Sequence, residues 1–173
     1  MGYYRKQLLR VDLTEGTVET ESIPDSYFRR YVGGWGLGLR MLMDEAPPGI
    51  APTDPENPMI FMTGPLTGTP LVPAATNLTV CTLNANTGYT AGRAHTHGWF
   101  GPYVKFAGYD GIVVTGKAEH PTYLWIDGPS DTIELRDATE FWGMDTHESE
   151  TAIEEEIGNP ETSVATIGPA GEN

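Results

Sequence analysis

The stretch from Gly64 to Asp110 reads GPLTGTPLVPAATNLTVCTLNANTGYTAGRAHTHGWFGPYVKFAGYD, and the rest of the chain is interpreted around it. Apart from its histidines, its only charged side chains are Arg93, Lys105 and Asp110, whereas the whole chain has a net charge of −14. The stretch is also rich in Gly, Thr, Asn and Pro. Small residues let a backbone approach a ligand closely, and free backbone N–H groups bind anions. The composition therefore fits either a glycine-rich connecting region or a loop zone that binds an anionic ligand.

The overall composition limits the classes of protein to which this chain can belong. A length of 173 residues favours one domain with a real core, and 20% charged residues argue against disorder. The strongly negative net charge argues against binding to nucleic acids or to anionic membranes. Neither a secretory signal nor an apolar run of membrane-spanning length is evident, so the sequence predicts a cytoplasmic protein.

The single cysteine, Cys81, excludes an internal disulfide and any iron–sulfur or zinc site built from this chain's own thiolates. Because Cys81 lies in the β-rich run 78–83, we expect it to be a small core residue.

Periodicity predicts an α+β fold in which hairpin and helix units are internally duplicated and form mixed sheets. Alternating runs around turn residues predict two β-hairpins, and amphipathic runs with terminal Gly or Pro predict helices. The predicted hairpins are 7–23 and 122–135, the helices 25–32, 35–45, 98–107 and 146–157, and the further strands 59–62, 78–83, 112–114 and 163–167. The glycine-rich ending after the last strand predicts that the chain is a fragment or part of a larger assembly.

Two features of the central stretch are candidates for chemistry. His95 and His97 are two apart, so both imidazoles face one side of an extended segment. Gly101 and Pro102 stand where a third ligand would be expected, so a metal site, a ligand-binding polar loop and an ordinary surface loop all stay open, and the last is favoured. Arg93 suits phosphate or carboxylate, but an exposed arginine on a turn looks the same in sequence. No nucleophile–base pair is evident, so we predict neither catalytic nor metal-ligating residues.

Several motifs recur in order along nearly all of the chain, and through them it resembles the N-terminal domain of the tungsten-containing aldehyde ferredoxin oxidoreductases. The motifs are Arg10-Val11-Asp12-Leu13, Pro55-Glu56-Asn57, Gly64-Pro65-Leu66-Thr67-Gly68-Thr69, Lys105-Phe106-Ala107-Gly108-Tyr109-Asp110, Gly116-Lys117-Ala118, Arg136-Asp137-Ala138 and the terminal GPAGEN.

The resemblance implies that residues 1–173 form a single domain, the base under a tungsten (or molybdenum) bis-pyranopterin cofactor. The family oxidises aldehydes to carboxylic acids and passes electrons to ferredoxin, and a related branch reduces aromatic acyl-CoA rings. The implied partners are the remainder of the catalytic subunit, ferredoxin and further copies in a homo-oligomer. The [4Fe–4S] cluster belongs to domains absent from this chain. We therefore expect the isolated chain to bind no cofactor and to be inactive.

The resemblance also implies that the pterin-facing loops are 73–77 and 93–98. The cofactor-binding candidates in them are Thr76, Asn77, Arg93, His95, Thr96 and His97. Family members often have an arginine where Thr76 stands. We therefore expect either that Arg93 and the histidines replace the missing charge or that this branch binds its cofactor or substrate differently. If the chain turns back in a hairpin through residues 84–88, both loops lie at one end of the strand pair and the six residues converge on one concave face.

A rival interpretation is a non-catalytic module, either a truncated silent domain or a scaffold that acts through oligomerisation without a cofactor. The sequence leaves the aldehyde, the metal and the electron acceptor open.

Overall fold

A computed structural model of the chain describes residues 4–172 and has a mixed α+β fold, which confirms the predicted class. The chain forms eight strands, five α-helices and a short 3-10 helix at Thr139–Phe141 within the described residues. In chain order the strands and helices are β1 Gln7–Asp12, β2 Thr17–Ser22, α1 Asp25–Tyr31, α2 Gly34–Glu45, β3 Met59–Thr63, β4 Leu78–Leu83, β5 Ala91–Thr96, α3 Phe100–Phe106, β6 Gly111–Thr115, β7 Thr122–Asp127, β8 Thr132–Asp137, α4 Thr146–Ile157 and α5 Gly168–Glu172.

Six strands form one mixed sheet in the order β2-β1-β6-β3-β4-β5. The neighbours are antiparallel except for β1 and β6, which run parallel. The β7–β8 hairpin forms a separate two-stranded sheet. Both predicted hairpins are thus present, but in the described residues the first belongs to the large sheet whereas the second forms a sheet of its own.

Helix α2 covers one face of the large sheet, and close backbone approach makes this contact tight. Gly38 lies over Cys81 of β4, where an added Cβ would stand only 2.6 Å from the sulfur. Leu37 and Met41 bury the same side of the helix against Ile60. The apolar positions of α2 recur at helical spacing, so burial against the sheet explains why this glycine-rich segment is helical.

The opposite face of the large sheet is covered by α3 and by the β7–β8 hairpin. Leu9 and Ile112 form the buried centre of this second cluster together with Val104 of α3. Half-buried side chains of the hairpin, including Leu124 and Leu135, pack against it. The large sheet therefore separates two cores, and its central strands β1, β3 and β6 contribute alternate residues to each of them.

Three local predictions differ from the structure. Residues 93–96 are not a loop but lie in β5, because six residues pair with β4 although small side chains there weaken the strand signal. Residues 163–167 are not a strand, because they pair with no other strand among the described residues. The glycine-rich ending forms α5 up to Glu172, whereas Asn173 lies outside the described residues.

Within residues 4–172, no helix is both long enough and apolar enough to cross a bilayer.

Candidate functional site

The β4–β5 hairpin brings the two predicted cofactor segments to the same end of the sheet. Leu78 is paired with Thr96, so Asn77 and His97 leave the strand pair side by side. Residues 84–90 connect the strands at the far end, where the amide of Asn84 donates to the carbonyl of Thr90. The hairpin expected from the sequence is therefore present, and it places loop 64–77 next to residues 97–98.

Loop 64–77 is held in shape by its own hydrogen bonds, with Thr67 at its centre. The buried Thr67 hydroxyl donates to the carbonyl of Asn77 at 2.8 Å and accepts from the amide of Gly64 at 3.1 Å. The carbonyl of Thr76 lies close to Gly101 of α3, where an added Cβ would stand 3.1 Å away. The loop is therefore fixed against the first turn of α3.

Strand alternation divides the predicted residues of β5 between the two faces of the sheet. Arg93 and His95 are paired with Cys81 and Thr79, which face α2. Thr96 is paired with Leu78 and faces the α3 side. The structure thus brings the six candidate residues to one end of the sheet but does not direct all of their side chains to one face.

On the α2 face, the side chains of the two candidates Arg93 and His95 each contact a neighbouring side chain. The guanidinium carbon of Arg93 lies 5.4 Å from the ring centroid of Trp35. The Nδ1 atom of His95 lies 3.1 Å from the hydroxyl oxygen of the buried Thr79. The sequence predicted only that Trp35 begins the helix 35–45 and that Thr79 lies in the strand 78–83. Only the pairing of β4 with β5 and the position of α2 assign them to this site.

On the α3 face, a groove of about 1020 Å³ opens beside the sheet. One wall is largely apolar and contains Phe61, Val80, Phe100 and the stacked pair Trp99 and Tyr103.

The other wall of the groove is formed by the start of α4 and by residues 160–166, and it carries Glu150 and Glu161. The Thr162 hydroxyl in this wall is buried and has no hydrogen-bond partner in the described part of the chain. The groove thus has an aromatic side suited to a planar ring and a polar side with an unused hydroxyl.

Across residues 4–172, no three His, Cys, Asp or Glu side chains are close enough together to hold a metal ion. His95 faces α2 from within β5, whereas His97 follows the strand and lines the groove on the α3 face, so the two imidazoles do not share one face as the sequence suggested.

The comparisons with known proteins agree with this architecture. Residues 8–173 match the family described as "Aldehyde ferredoxin oxidoreductase, N-terminal domain". The tungsten-containing aldehyde ferredoxin oxidoreductases of Pyrococcus abyssi and Pyrococcus furiosus are 44% and 40% identical over 99% and 96% of this chain. A WOR-like subunit of an aliphatic sulfonate oxidoreductase from Pyrococcus furiosus is 35% identical over 98% of the chain.

A solved structure extends the comparison to the fold. The active site complex BamBC of benzoyl coenzyme A reductase, solved with 1,5-dienoyl-CoA, superimposes with a TM-score of 0.94 at 35% identity over 99% of this chain. The chain covers 26% of that chain and 27–29% of the length of the named relatives. The match over residues 8–173, the high identity and the shared fold together establish that this chain belongs to the aldehyde ferredoxin oxidoreductase N-terminal domain family.

Proposed function

We propose that this chain is the cofactor-facing base of a larger catalytic subunit that oxidises aldehydes to carboxylic acids at a tungsten or molybdenum bis-pyranopterin. The observation that carries the proposal is the end of the β4–β5 hairpin. There, two segments without any carboxylate side chain meet, in a protein whose net charge is −14. An anionic cofactor disfavours carboxylates beside it and favours amides, hydroxyls and cations.

The side chains at this end fit such a group. Asn77, Arg93, His97 and the hydroxyls of Thr76 and Thr96 are hydrogen-bonding groups suited to pterin rings and phosphates. On the α3 face, the aromatic wall around Trp99 is suited to a planar heterocycle. When bound, the metal–pterin group supplies the redox chemistry, and this chain's residues bind it, orient it and exclude water.

The remainder of the site lies outside this chain under the proposal. We infer that the other domains of the subunit contribute the [4Fe–4S] cluster and that ferredoxin accepts the electrons. Homo-oligomerisation and a cytoplasmic location remain predictions, as does the assignment of residues 1–173 to a single domain. The relation to the benzoyl coenzyme A reductase complex makes reduction of aromatic acyl-CoA rings the second candidate activity.

Metal and pterin analysis of the complete polypeptide that contains this chain tests the proposal. We expect tungsten or molybdenum together with pterin, and we expect Arg93→Ala to lower both contents. The matched control is Arg136→Ala, because Arg136 also lies over a tryptophan but pairs with Glu134 in the β7–β8 hairpin. A complete polypeptide without metal and pterin contradicts the proposal and favours the silent module. Aldehyde-dependent viologen reduction by the 173-residue chain alone contradicts its assignment as a base domain.

A further inference from the structure

Trp35 holds the side chain of Arg93 at the exposed edge of the large sheet. The indole ring is half-buried and packs against the core under α2, and this packing fixes its position. The guanidinium lies over the ring, with its carbon 5.4 Å from the centroid. Within residues 4–172, the Arg93 side chain makes no hydrogen bond or ion pair, so the N–H groups of its guanidinium are open to a ligand.

The other arginine held on a tryptophan shows what distinguishes this one. Arg136 lies over Trp125 at a similar 5.5 Å, but its guanidinium is bound to Glu134 at 2.8 Å. Arg10 is likewise bound by a carboxylate, that of Glu45. In a chain with 24 acidic residues, the carboxylate-free position of Arg93 leaves its charge for an external anion.

Thr79 contacts the side chain of His95, as Trp35 contacts that of Arg93, but through a hydrogen bond. The Thr79 hydroxyl is buried and lies 3.1 Å from Nδ1. Either atom can donate in this contact, and in the tautomer that accepts the hydroxyl proton at Nδ1, the Nε2–H group is a donor towards a ligand. His95 and Arg93 are two residues apart on one strand face, a separation of about 7 Å, so both reach a single polyatomic anion.

The groove on the opposite face is a poorer place for an anion. Its far wall carries Glu150 and Glu161, whose charges repel a phosphate. The edge of β5 on the α2 face has two donors and no carboxylate in contact with either of them among the described residues. Charge therefore favours the α2 edge for anionic groups and leaves the groove to uncharged rings.

We propose that Trp35 and Thr79 are positioning residues that hold Arg93 and His95 as a two-donor site for a phosphate-class oxyanion on the α2 face of β5. The inference rests on the proposed function, in which this oxyanion is the phosphate of the cofactor. Trp35 acts through Arg93, and Thr79 acts through His95.

The test is a double-mutant cycle on the 173-residue chain, with inorganic pyrophosphate as the probe and calorimetry at low salt. We expect Arg93→Ala to weaken binding about tenfold, as for a lost charge-assisted contact. Trp35→Leu should weaken it about two- to fivefold, the range of an exposed cation–π contact, and Trp35→Phe should restore most of the loss. The double variant Trp35→Leu/Arg93→Ala should bind no more weakly than Arg93→Ala alone, and Trp125→Leu should bind like the parent chain.

Nitrogen NMR of His95 supplies the readout for Thr79. Thr79→Val keeps the shape of the side chain but removes the hydroxyl, so we expect a shift of the Nδ1 resonance and weaker pyrophosphate binding. Thr79→Ser should restore both, and thermal unfolding identifies variants that lose the fold.

The inference is overturned if Arg93→Ala leaves the affinity for pyrophosphate unchanged. It is also overturned if Trp35→Leu weakens binding further in a chain that already carries Arg93→Ala. Metal and pterin content of the complete polypeptide is measured separately. If the double-mutant cycle gives the expected pyrophosphate affinities but the complete polypeptide contains no metal or pterin, the proposed function is rejected and the anion site is retained.

Discussion

Lys105 and Asp110 form a buried ion pair across the turn between α3 and β6. The Asp110 carboxylate also accepts the backbone amide of Lys6, and its backbone carbonyl accepts the hydroxyl of Thr63 at 2.6 Å. The ammonium of Lys105 lies 5.7 Å from the ring centroid of Tyr4. Asp110 thus links the end of α3 to the segment before β1 through its carboxylate and to the end of β3 through its backbone carbonyl.

We expect Asp110→Ala to cost about 3–5 kcal/mol of unfolding free energy, because it removes the carboxylate from a buried ion pair. Urea unfolding measures the change. The control is Glu134→Gln, which breaks the exposed pair with Arg136 and should cost at most about 1 kcal/mol. Equal losses in both variants would show that the buried pair contributes no more than a surface pair.

Gly38→Ala should destabilise the chain by about 1–3 kcal/mol, although alanine is the better helix former. The added methyl group would stand 2.6 Å from the sulfur of Cys81, and the core has no space beside it. Cys81→Ala removes the sulfur, so the double variant should be more stable than the sum of the single changes predicts. Thermal or urea unfolding of the four proteins gives the coupling energy, and strict additivity would exclude the clash as the cause.

Alkaline pH should weaken the folded state through Cys81. Burial raises the pKa of this thiol to about 11, whereas an unfolded cysteine titrates near about 8.5. The folded chain therefore retains the proton over this interval while the unfolded chain loses it, so stability declines as the pH rises from about 8.5 towards 11. Cys81→Ala should remove this part of the pH dependence. The measurement is unfolding free energy against pH, and identical slopes for both proteins would contradict the assignment.

Helix α4 depends on the carboxylate of Asp145 at its first turn. Asp145 accepts the backbone amides of Glu148 and His147, and the Glu148 side chain accepts the amide of Asp145 in return. The hydrogen bond from the Glu148 amide lowers the pKa of Asp145, so the cap stabilises at neutral pH and its contribution is lost as the pH falls through the lowered pKa. We expect Asp145→Ala to speed exchange of the α4 amides.

The control for the cap is Asp145→Asn, whose amide oxygen still caps the helix but does not titrate. We expect it to retain slow exchange at neutral pH and to lose the acid-dependent step. Exchange that is equally fast in the Ala and Asn variants would show that the side chain does not act as a cap.

The sequence alone was sufficient for elements whose signal is local. The predicted bounds of α4 follow from its apolar spacing and the stop at Gly158, where the backbone is left-handed. Both hairpins follow from alternation around turn residues. The family follows from motifs spread along the chain. These features depend on the spacing and composition of residues that are close together in the sequence, so the sequence alone contains the signal.

Tertiary structure decided what depends on pairing between distant segments. Residues 163–167 have strand-like composition but no strand partner within the described chain, so they stay irregular. Residues 91–96 have a weak strand composition but pair fully with β4 and form the sheet edge. That pairing sends Arg93 and His95 to one face and Thr96 to the other. It also places Arg93 over Trp35, 58 positions earlier in the chain. Strand register and helix docking are set by non-local burial, so a residue's face and its neighbours appear only when the whole sheet is assembled.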